Sequence, residues 1–106
     1  MRASLLKHRV VIETDEGTGR NSVGEHIEDW QPWGVAWAAI EPLSGQEIED
    51  ARQVAARATT KVTIRHRDGV DAGMRLVHES GVLHIEAVLH ERMARRWLVL
   101  LSREAP

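Results

Sequence analysis

The chain has 106 residues, a length that fits one domain with a single core, and no cysteine, which excludes disulfides, thiolate nucleophiles and zinc sites with sulfur ligands. Its formal net charge of −2 argues against a general nucleic-acid binder, because non-specific affinity requires several phosphates to be neutralised. No apolar stretch has the length of a secretory signal or of a membrane span, so we expect a soluble protein that is intracellular when made.

Two strands are predicted in the first part of the chain. The first covers residues 8–13, where Val10 and Ile12 share one face. Residues 14–31 have no hydrophobic period and many turn-forming residues, so they are predicted to form a long flexible loop. The second strand, residues 35–41, has small or apolar residues on both faces and ends at Pro42. Burial of both faces is typical of a barrel strand, or of one covered by a helix or a neighbouring subunit.

A helix is predicted directly after the second strand. Ser44 and Glu47 have the spacing of a capping box, in which each side chain bonds to the other residue's backbone N–H. The apolar residues that follow recur at helical spacing, and three of the five are alanine: Ile48, Ala51, Val54, Ala55 and Ala58. The pattern predicts one helix over residues 44–57 that packs closely against its neighbour.

The second half of the chain has the period of β-strands. Val62 and Ile64 alternate with polar residues, and strands over residues 74–79 and 82–91 flank a short turn at Ser80 and Gly81. A turn at 92–94 and a last strand over 95–103 complete the set. In the fifth strand four residues are predicted to face the core: Leu83, Ile85, Ala87 and Leu89. Residues 1–106 are therefore predicted to form a single, mainly β domain, a six- to seven-stranded barrel or sandwich with one inserted helix.

The six histidines do not form a plausible metal site. His84 and His90 share a predicted strand face but lie about 20 Å apart at ~3.3 Å per residue. His78 can approach His84 across the hairpin, but no third ligand is apparent. The glycines of residues 17–24 lack the ending of a phosphate-binding loop, and no serine has the context of a nucleophile elbow. We predict no metal, no cofactor, no catalytic residues and no enzymatic activity.

A cationic row on the third strand keeps a second function open. Lys61, Arg65 and Arg67 could contact phosphates, as in a small oligonucleotide-binding barrel. Such barrels usually add stacking aromatic residues, and none is interleaved here, with His66 predicted on the opposite face. Edge protection or pairing across a subunit interface explains the row equally well. A nucleic-acid-binding module therefore remains the alternative interpretation.

The order of these segments resembles the phage head–tail joining proteins, also called head–tail adaptor, head-closure or stopper proteins. Residues 37–47, WAAIEPLSGQE, are similar to the family pattern W-A-x-[VI]-x-P-L-S-G-x-E. Residues 64–67 resemble its I-R-Y-R strand, although His66 replaces the aromatic residue. Residues 74–76 and 81–88 resemble the hairpin that follows, with His84 at a position where an aromatic residue or Asp is common. The resemblance covers almost the full chain.

The resemblance implies a structural protein of a phage, a prophage or a gene transfer particle. Such proteins form a homo-oligomeric ring, twelvefold or sixfold, in the neck of the particle. On the head side the ring contacts the portal and its adaptor, and on the tail side it contacts the tail terminator or completion protein. Before assembly such proteins are located in the host cytoplasm. Some of them act as a stopper that retains the packaged DNA. DNA passes through the ring channel without sequence-specific binding. Whether the ring lies nearer the portal or the tail is left open, and no membrane is involved.

Two sets of residues are candidates for these contacts. An acidic loop is predicted to line or gate the channel, where it would repel DNA phosphates, through Asp15, Glu16, Arg20, Glu25, Glu28 and Asp29. A basic set is predicted to lie between subunits: Arg52, Arg57, Lys61, Arg65 and Arg67. A ring needs two different patches on each subunit, and the second strand with its two apolar faces and the alanine-faced helix are predicted to supply lateral surfaces for neighbours.

Overall fold

The computed structural model describes residues 3–90 and 96–105. A short 3-10 helix, Ala3–Leu5, precedes strands β1 (His8–Asp15) and β2 (Trp30–Pro42). Helix α1 (Gly45–Ala51) follows, and then come the four remaining strands: β3 (Thr60–Arg65), β4 (Arg75–His78), β5 (Gly81–His90) and β6 (Trp97–Glu104). The strands pair antiparallel in the closed order β1-β2-β3-β6-β5-β4. The predicted β-barrel with one helix after the second strand is confirmed.

The barrel interior is filled by alternate residues of the strands. Val10 and Ile12 face inward from β1, as predicted. Each fully buried aliphatic side chain contributes roughly 1.5–3 kcal/mol through removal of apolar surface from water. The largest of these side chains come from four strands, β1, β3, β4 and β6: Val10, Ile12, Val62, Ile64, Leu76, Leu98 and Leu100. Leu83 and Ile85 of β5 are nearly as buried.

The capping box forms, but the helix is shorter than predicted. The Glu47 N–H donates to Ser44 Oγ at 3.2 Å, and the Ser44 N–H donates to Glu47 Oε1 at 3.0 Å. The α-helix ends at Ala51 instead of continuing to residue 57. A helix over 44–57 would carry the chain about 21 Å, at ~1.5 Å per residue. The Leu43 N–H donates to the Thr59 carbonyl, so the chain must return to its starting point, and turns replace the second half of the helix.

The three alanines of this segment are buried nonetheless. Ala51, Ala55 and Ala58 pack with Leu43 and Leu101 in a second, smaller cluster outside the barrel. The spacing therefore identified the three buried alanines, with turns rather than a continuous helix bringing Ala55 and Ala58 into place, but Ile48 and Val54 of the same predicted face are exposed.

A β-bulge corrects the predicted inward face of β5. Ile85 pairs with Ser102 and Ala87 with Leu101, so the register shifts between them and one extra residue, Glu86, stands on β5. Beyond the bulge the alternation is inverted. Val88 packs against the barrel core, Ala87 packs against the helix-side cluster, and Leu89 is 42% exposed. The prediction that Ala87 and Leu89 face the core was wrong.

The turns differ from the prediction by small shifts. His78 pairs with Gly81, so Glu79 and Ser80 form the two-residue turn of the β4–β5 hairpin, one position earlier than predicted. β1 and β2 are longer than predicted and leave residues 16–29 between them. The turn predicted at 92–94 lies outside the described residues.

Candidate functional site

Residues 16–29, called the arm below, continue the β1–β2 hairpin. Backbone hydrogen bonds cross it from the Glu16 N–H to the Asp29 carbonyl at 2.8 Å and from the Ile27 N–H to the Gly19 carbonyl at 3.0 Å. Every residue from 18 to 29 is exposed. Gly17 is required where the two sides meet, because a Cβ there would collide with the Ile27 carbonyl oxygen. The sequence had no strand-like period here, yet the segment forms a narrow hairpin.

Asp15 anchors the base of the arm. Its carboxylate accepts hydrogen bonds from the backbone N–H groups of Asp29 and Gly17, each at 2.9 Å, and from His26 Nε2 at 2.7 Å. These bonds, the one from Asp29 first, lower the pKa of Asp15 to about 2. Of the six residues predicted for the channel, Asp15 therefore holds the arm together and does not present a free charge.

The other five predicted channel residues lie together on the arm. Glu28 accepts from Trp30 Nε1 at 2.9 Å, Asp29 accepts from Gln31 Nε2 at 2.6 Å, and Arg20 donates to the Gly24 carbonyl at 3.5 Å. Glu16 and Glu25 are exposed. These five residues therefore lie on one element of the structure, and that they line or gate a channel stays a prediction.

The arm also carries apolar side chains that the sequence analysis did not single out. Val23 is 73% exposed and Ile27 is 48% exposed. Both lie in a segment that has little of its own core, since a two-stranded hairpin alone is marginally stable. These two exposed side chains on one projecting hairpin make the arm a candidate surface for contact with another molecule.

The five basic residues predicted for the subunit interface do not form a single surface. Arg52 forms an ion pair with Glu49 at 3.3 Å, and Lys61 forms one with Glu47 at 2.6 Å, so both are engaged beside α1. The Lys61 ammonium and the Ser44 N–H lower the pKa of Glu47 to about 2. The exposed Arg57 lies in the turns after α1. Arg65 and Arg67 lie elsewhere.

Arg65 and Arg67 border a groove of about 460 Å³ on the outer face of the barrel. Trp37 and Val35 of β2 line the same groove, and they are 57% and 47% exposed. We call Val35, Trp37, Arg65 and Arg67 the Trp–Arg patch. Because Ala36 and Ala38 turn towards the barrel core, the larger residues of this part of β2 face outward.

Two further tryptophans hold the arginines of the patch. The Arg67 guanidinium lies 4.7 Å from the centroid of Trp33 and donates to the Val35 carbonyl at 3.1 Å. The Arg65 guanidinium lies 5.5 Å from the centroid of Trp97 on β6. The prediction that no aromatic residue accompanies the cationic row was wrong, because strand pairing brings in aromatic residues that are distant in sequence. His66 also borders the groove, contrary to its predicted place on the opposite face.

A second groove, of about 290 Å³, lies between α1 and the outer faces of β5 and β6. Its walls include Leu43, Val54 and Val99, with Leu89 placed there by the β5 bulge. It is mostly apolar, and the Glu47–Lys61 ion pair closes one side.

Titratable side chains elsewhere are dispersed. Within residues 3–90 and 96–105, no group of three or more His, Asp or Glu side chains could hold a metal ion. The rings of His66 and His90 lie 5.8 Å apart, and His84 packs edge-on against Trp30. Burial is the main cause that lowers the pKa of His84. In the same described ranges, no helix is long and apolar enough to cross a membrane.

The family model of the phage head completion proteins matches residues 1–105. The chain belongs to this family. It is thus a structural protein of phage particles, and the suspected relationship to head-closure proteins is confirmed at that level.

Two solved structures are similar to this chain in fold. The solution structure of protein SF1141 from Shigella flexneri 2a is 29% identical, with a TM-score of 0.74, and the match covers 99% of this chain and 97% of that one. A chain in the virion of a native gene transfer agent particle is 21% identical, with a TM-score of 0.65 and coverage of 91% of both chains. The latter likeness shows a shared fold. No curated protein matches this chain.

Proposed function

We propose that this head completion protein forms a homo-oligomeric ring in the neck of a phage or phage-derived particle, between the portal or its adaptor and the tail. Beyond family membership, one observation supports a ring: each subunit has two unlike exposed surfaces, the acidic arm and the Trp–Arg patch. A closed ring is built from heterologous contacts, in which two different patches of the same chain meet.

The particle's DNA would pass through the ring or be retained by it. The formal net charge of −2 supports passage without adhesion, since a surface of this charge does not attract phosphates in general. From its sequence, the acidic arm is predicted to line or gate the channel. The exposed Val23 and Ile27 favour a protein contact for at least that part of the arm, because an aqueous channel leaves apolar side chains uncovered.

Nucleic-acid binding remains the second candidate, and one observation favours it. Arg65 and Arg67 lie beside Trp37 on a single groove, which combines cations with a stacking surface. Two arginines neutralise few phosphates, so affinity at physiological salt would be low. A gel shift with single- and double-stranded DNA, run at low and at physiological salt, separates the two candidates: a connector gives no shift at either salt concentration, whereas a binding module gives a shift at low salt that weakens as salt rises and that Arg65→Ala removes.

The test of the proposed function is co-purification with the portal and adaptor proteins encoded beside it, followed by electron microscopy. We expect a complex in which this chain forms a ring coaxial with the portal. Failure to bind either neighbour, together with particles that assemble normally without this chain, would contradict the proposal. A monomer in isolation is compatible with it, because ring subunits can require a template ring to assemble.

A further inference from the structure

We propose that the arm of one subunit binds the Trp–Arg patch of the next subunit, so that these two surfaces form the repeated contact of the ring. The inference rests on the proposed ring and specifies which residues make it. The partner of the patch is thus a second copy of this chain, and the chemistry recognised is an acidic hairpin with apolar side chains.

The charges of the two surfaces are complementary. The arm carries four carboxylates against one arginine, a formal charge of −3 with His26 neutral: Glu16, Glu25, Glu28 and Asp29 against Arg20. The patch presents Arg65 and Arg67, neither of which makes an ion pair with another described residue. Their guanidinium groups are already positioned over tryptophan rings, which reduces the entropy lost when a carboxylate binds.

The apolar parts match as well. Ile27 and Val23 of the arm expose apolar surface to water. The exposed Trp37 and Val35 line a groove against which that surface can be buried. Large aromatic side chains and arginine are the residue types that dominate binding energy at protein interfaces. Aromatic and aliphatic contact at the centre with ion pairs around it is the usual arrangement of a stable interface.

Among the described residues, the backbone beside the patch has no strand along one side, where the Arg67 side chain binds the Val35 carbonyl. β3 pairs only with Ala38–Pro42 of β2, and β1 pairs with the opposite edge from Trp30 to Ala38. In the described part of the chain, β2 before Ala38 therefore has no strand on the β3 side. An edge without a strand partner can accept an additional chain segment, and the arm is a hairpin whose two sides are joined by backbone hydrogen bonds.

The contact has to form between two molecules. The arm joins β2 at Trp30, and Trp37 of the patch lies seven residues further along the same strand. The distance along the strand between these two residues is about 23 Å, at ~3.3 Å per residue. The arm continues the β1–β2 hairpin and is held to it by the three hydrogen bonds to Asp15, so it extends away from its own patch. The longest dimension of the molecule, 47 Å against 28 and 27 Å, agrees with a projecting arm. Arm and patch are therefore donor and acceptor surfaces of a head-to-tail contact.

Paired cysteine variants test the contact directly, because the chain has no cysteine of its own. Ile27→Cys protein would be mixed with Val35→Cys protein at high concentration and oxidised, and the disulfide-linked heterodimer would be quantified and mapped by mass spectrometry. The matched control is Ile27→Cys with Val54→Cys, since Val54 is an exposed valine beside the other groove. The inference predicts at least tenfold more 27–35 than 27–54 heterodimer, and loss of the excess when Arg65→Glu and Arg67→Glu are added to the Val35→Cys chain.

The outcomes separate this inference from the proposed ring. Equal yields of the two heterodimers would overturn the arm–patch contact, and rings seen by microscopy in the same protein or with its portal complex would leave the proposed function standing. An excess of the 27–35 product that survives Arg65→Glu and Arg67→Glu would overturn the role given to charge. DNA binding that is lost in the arginine variant, with no 27–35 excess in the wild-type background, would assign the patch to nucleic acid instead.

Discussion

The barrel and the arm of this protein are built on opposite principles. In the barrel, strands such as β3 and β6 bury aliphatic side chains completely, and every strand has a partner on both sides for part of its length. The arm has only one pair of chain segments, and its apolar side chains Val23 and Ile27 are exposed. The barrel is therefore stable through its own core, whereas the arm is held by hydrogen bonds at its base and has apolar surface left for another molecule. In a structural phage protein, this difference separates the part that folds from the part that we propose to assemble.

The largest effect is expected from a cavity in the barrel. Leu100→Ala removes a fully buried side chain, and we expect a loss of about 2–5 kcal/mol in the free energy of unfolding, measured by urea denaturation. The matched control, Leu89→Ala, truncates a side chain that is 42% exposed and should cost well under half as much. Equal losses would mean that Leu89 is covered in solution by something other than the barrel.

A smaller effect, confined to the arm, is expected from Gly17→Ala. The new Cβ would meet the Ile27 carbonyl, so the two sides of the arm must separate, at a local cost on the order of 1–3 kcal/mol. Amide hydrogen exchange should increase at Glu16 and Ile27 and stay unchanged in β3 and β6. Gly45→Ala, where an added Cβ meets nothing, is the control. Faster exchange across the whole barrel would show that the arm and the barrel unfold together, and it would contradict the view that the two are stabilised separately.

The capping box gives a third, intermediate test within the folded domain. Ser44→Ala removes the acceptor for the Glu47 N–H and should cost about 1 kcal/mol in global stability. Ser44→Asp, which keeps an acceptor at the same position, should restore most of it. If Ser44→Ala had no effect on the urea midpoint, α1 would not belong to the cooperative unit of the barrel.

The smallest effect is a pH dependence of the arm. The pKa of Asp15 is about 2 in the folded chain against an ordinary value of 3.8, so its hydrogen bonds stabilise the arm above about pH 4. That stabilisation is lost as the pH falls from about 4 through 2. NMR titration should show the Gly17 and Asp29 amides shifting with this low midpoint. In the Asp15→Asn variant, the pH-dependent shift of both amide resonances should disappear. A midpoint near pH 4 in the wild type would show that the hydrogen bonds to the Asp15 carboxylate do not form in solution.

Local patterns were sufficient to predict the strands and the start of the helix, and they left a barrel and a sandwich as alternatives. The alternation of Val10 with Ile12 and of Val62 with Ile64, and the spacing of Ser44 and Glu47, depend on near neighbours in sequence, and the structure confirms them. The extra residue at Glu86 was not predictable in this way, because a bulge is defined by two strands and inverts the alternation without altering either sequence pattern.

The candidate site was harder to predict for the same reason. Arg67 meets Trp33, and Arg65 meets Trp97, only after β3 has been placed between β2 and β6. The strand order is a property of the closed barrel, so a row of cations read along one strand appeared to lack aromatic neighbours. The acidic composition of the arm was evident from the sequence, but its hairpin form depends on close backbone approach at Gly17, which has no periodic signal.

A cryo-EM map of the assembled neck tests the central claim most directly. The account predicts a ring in which each arm crosses to the next subunit and places Ile27 against Trp37, with the carboxylates of the arm near Arg65 and Arg67. A ring whose arms all point into an open channel, with the Trp–Arg patch facing solvent or DNA, would contradict it.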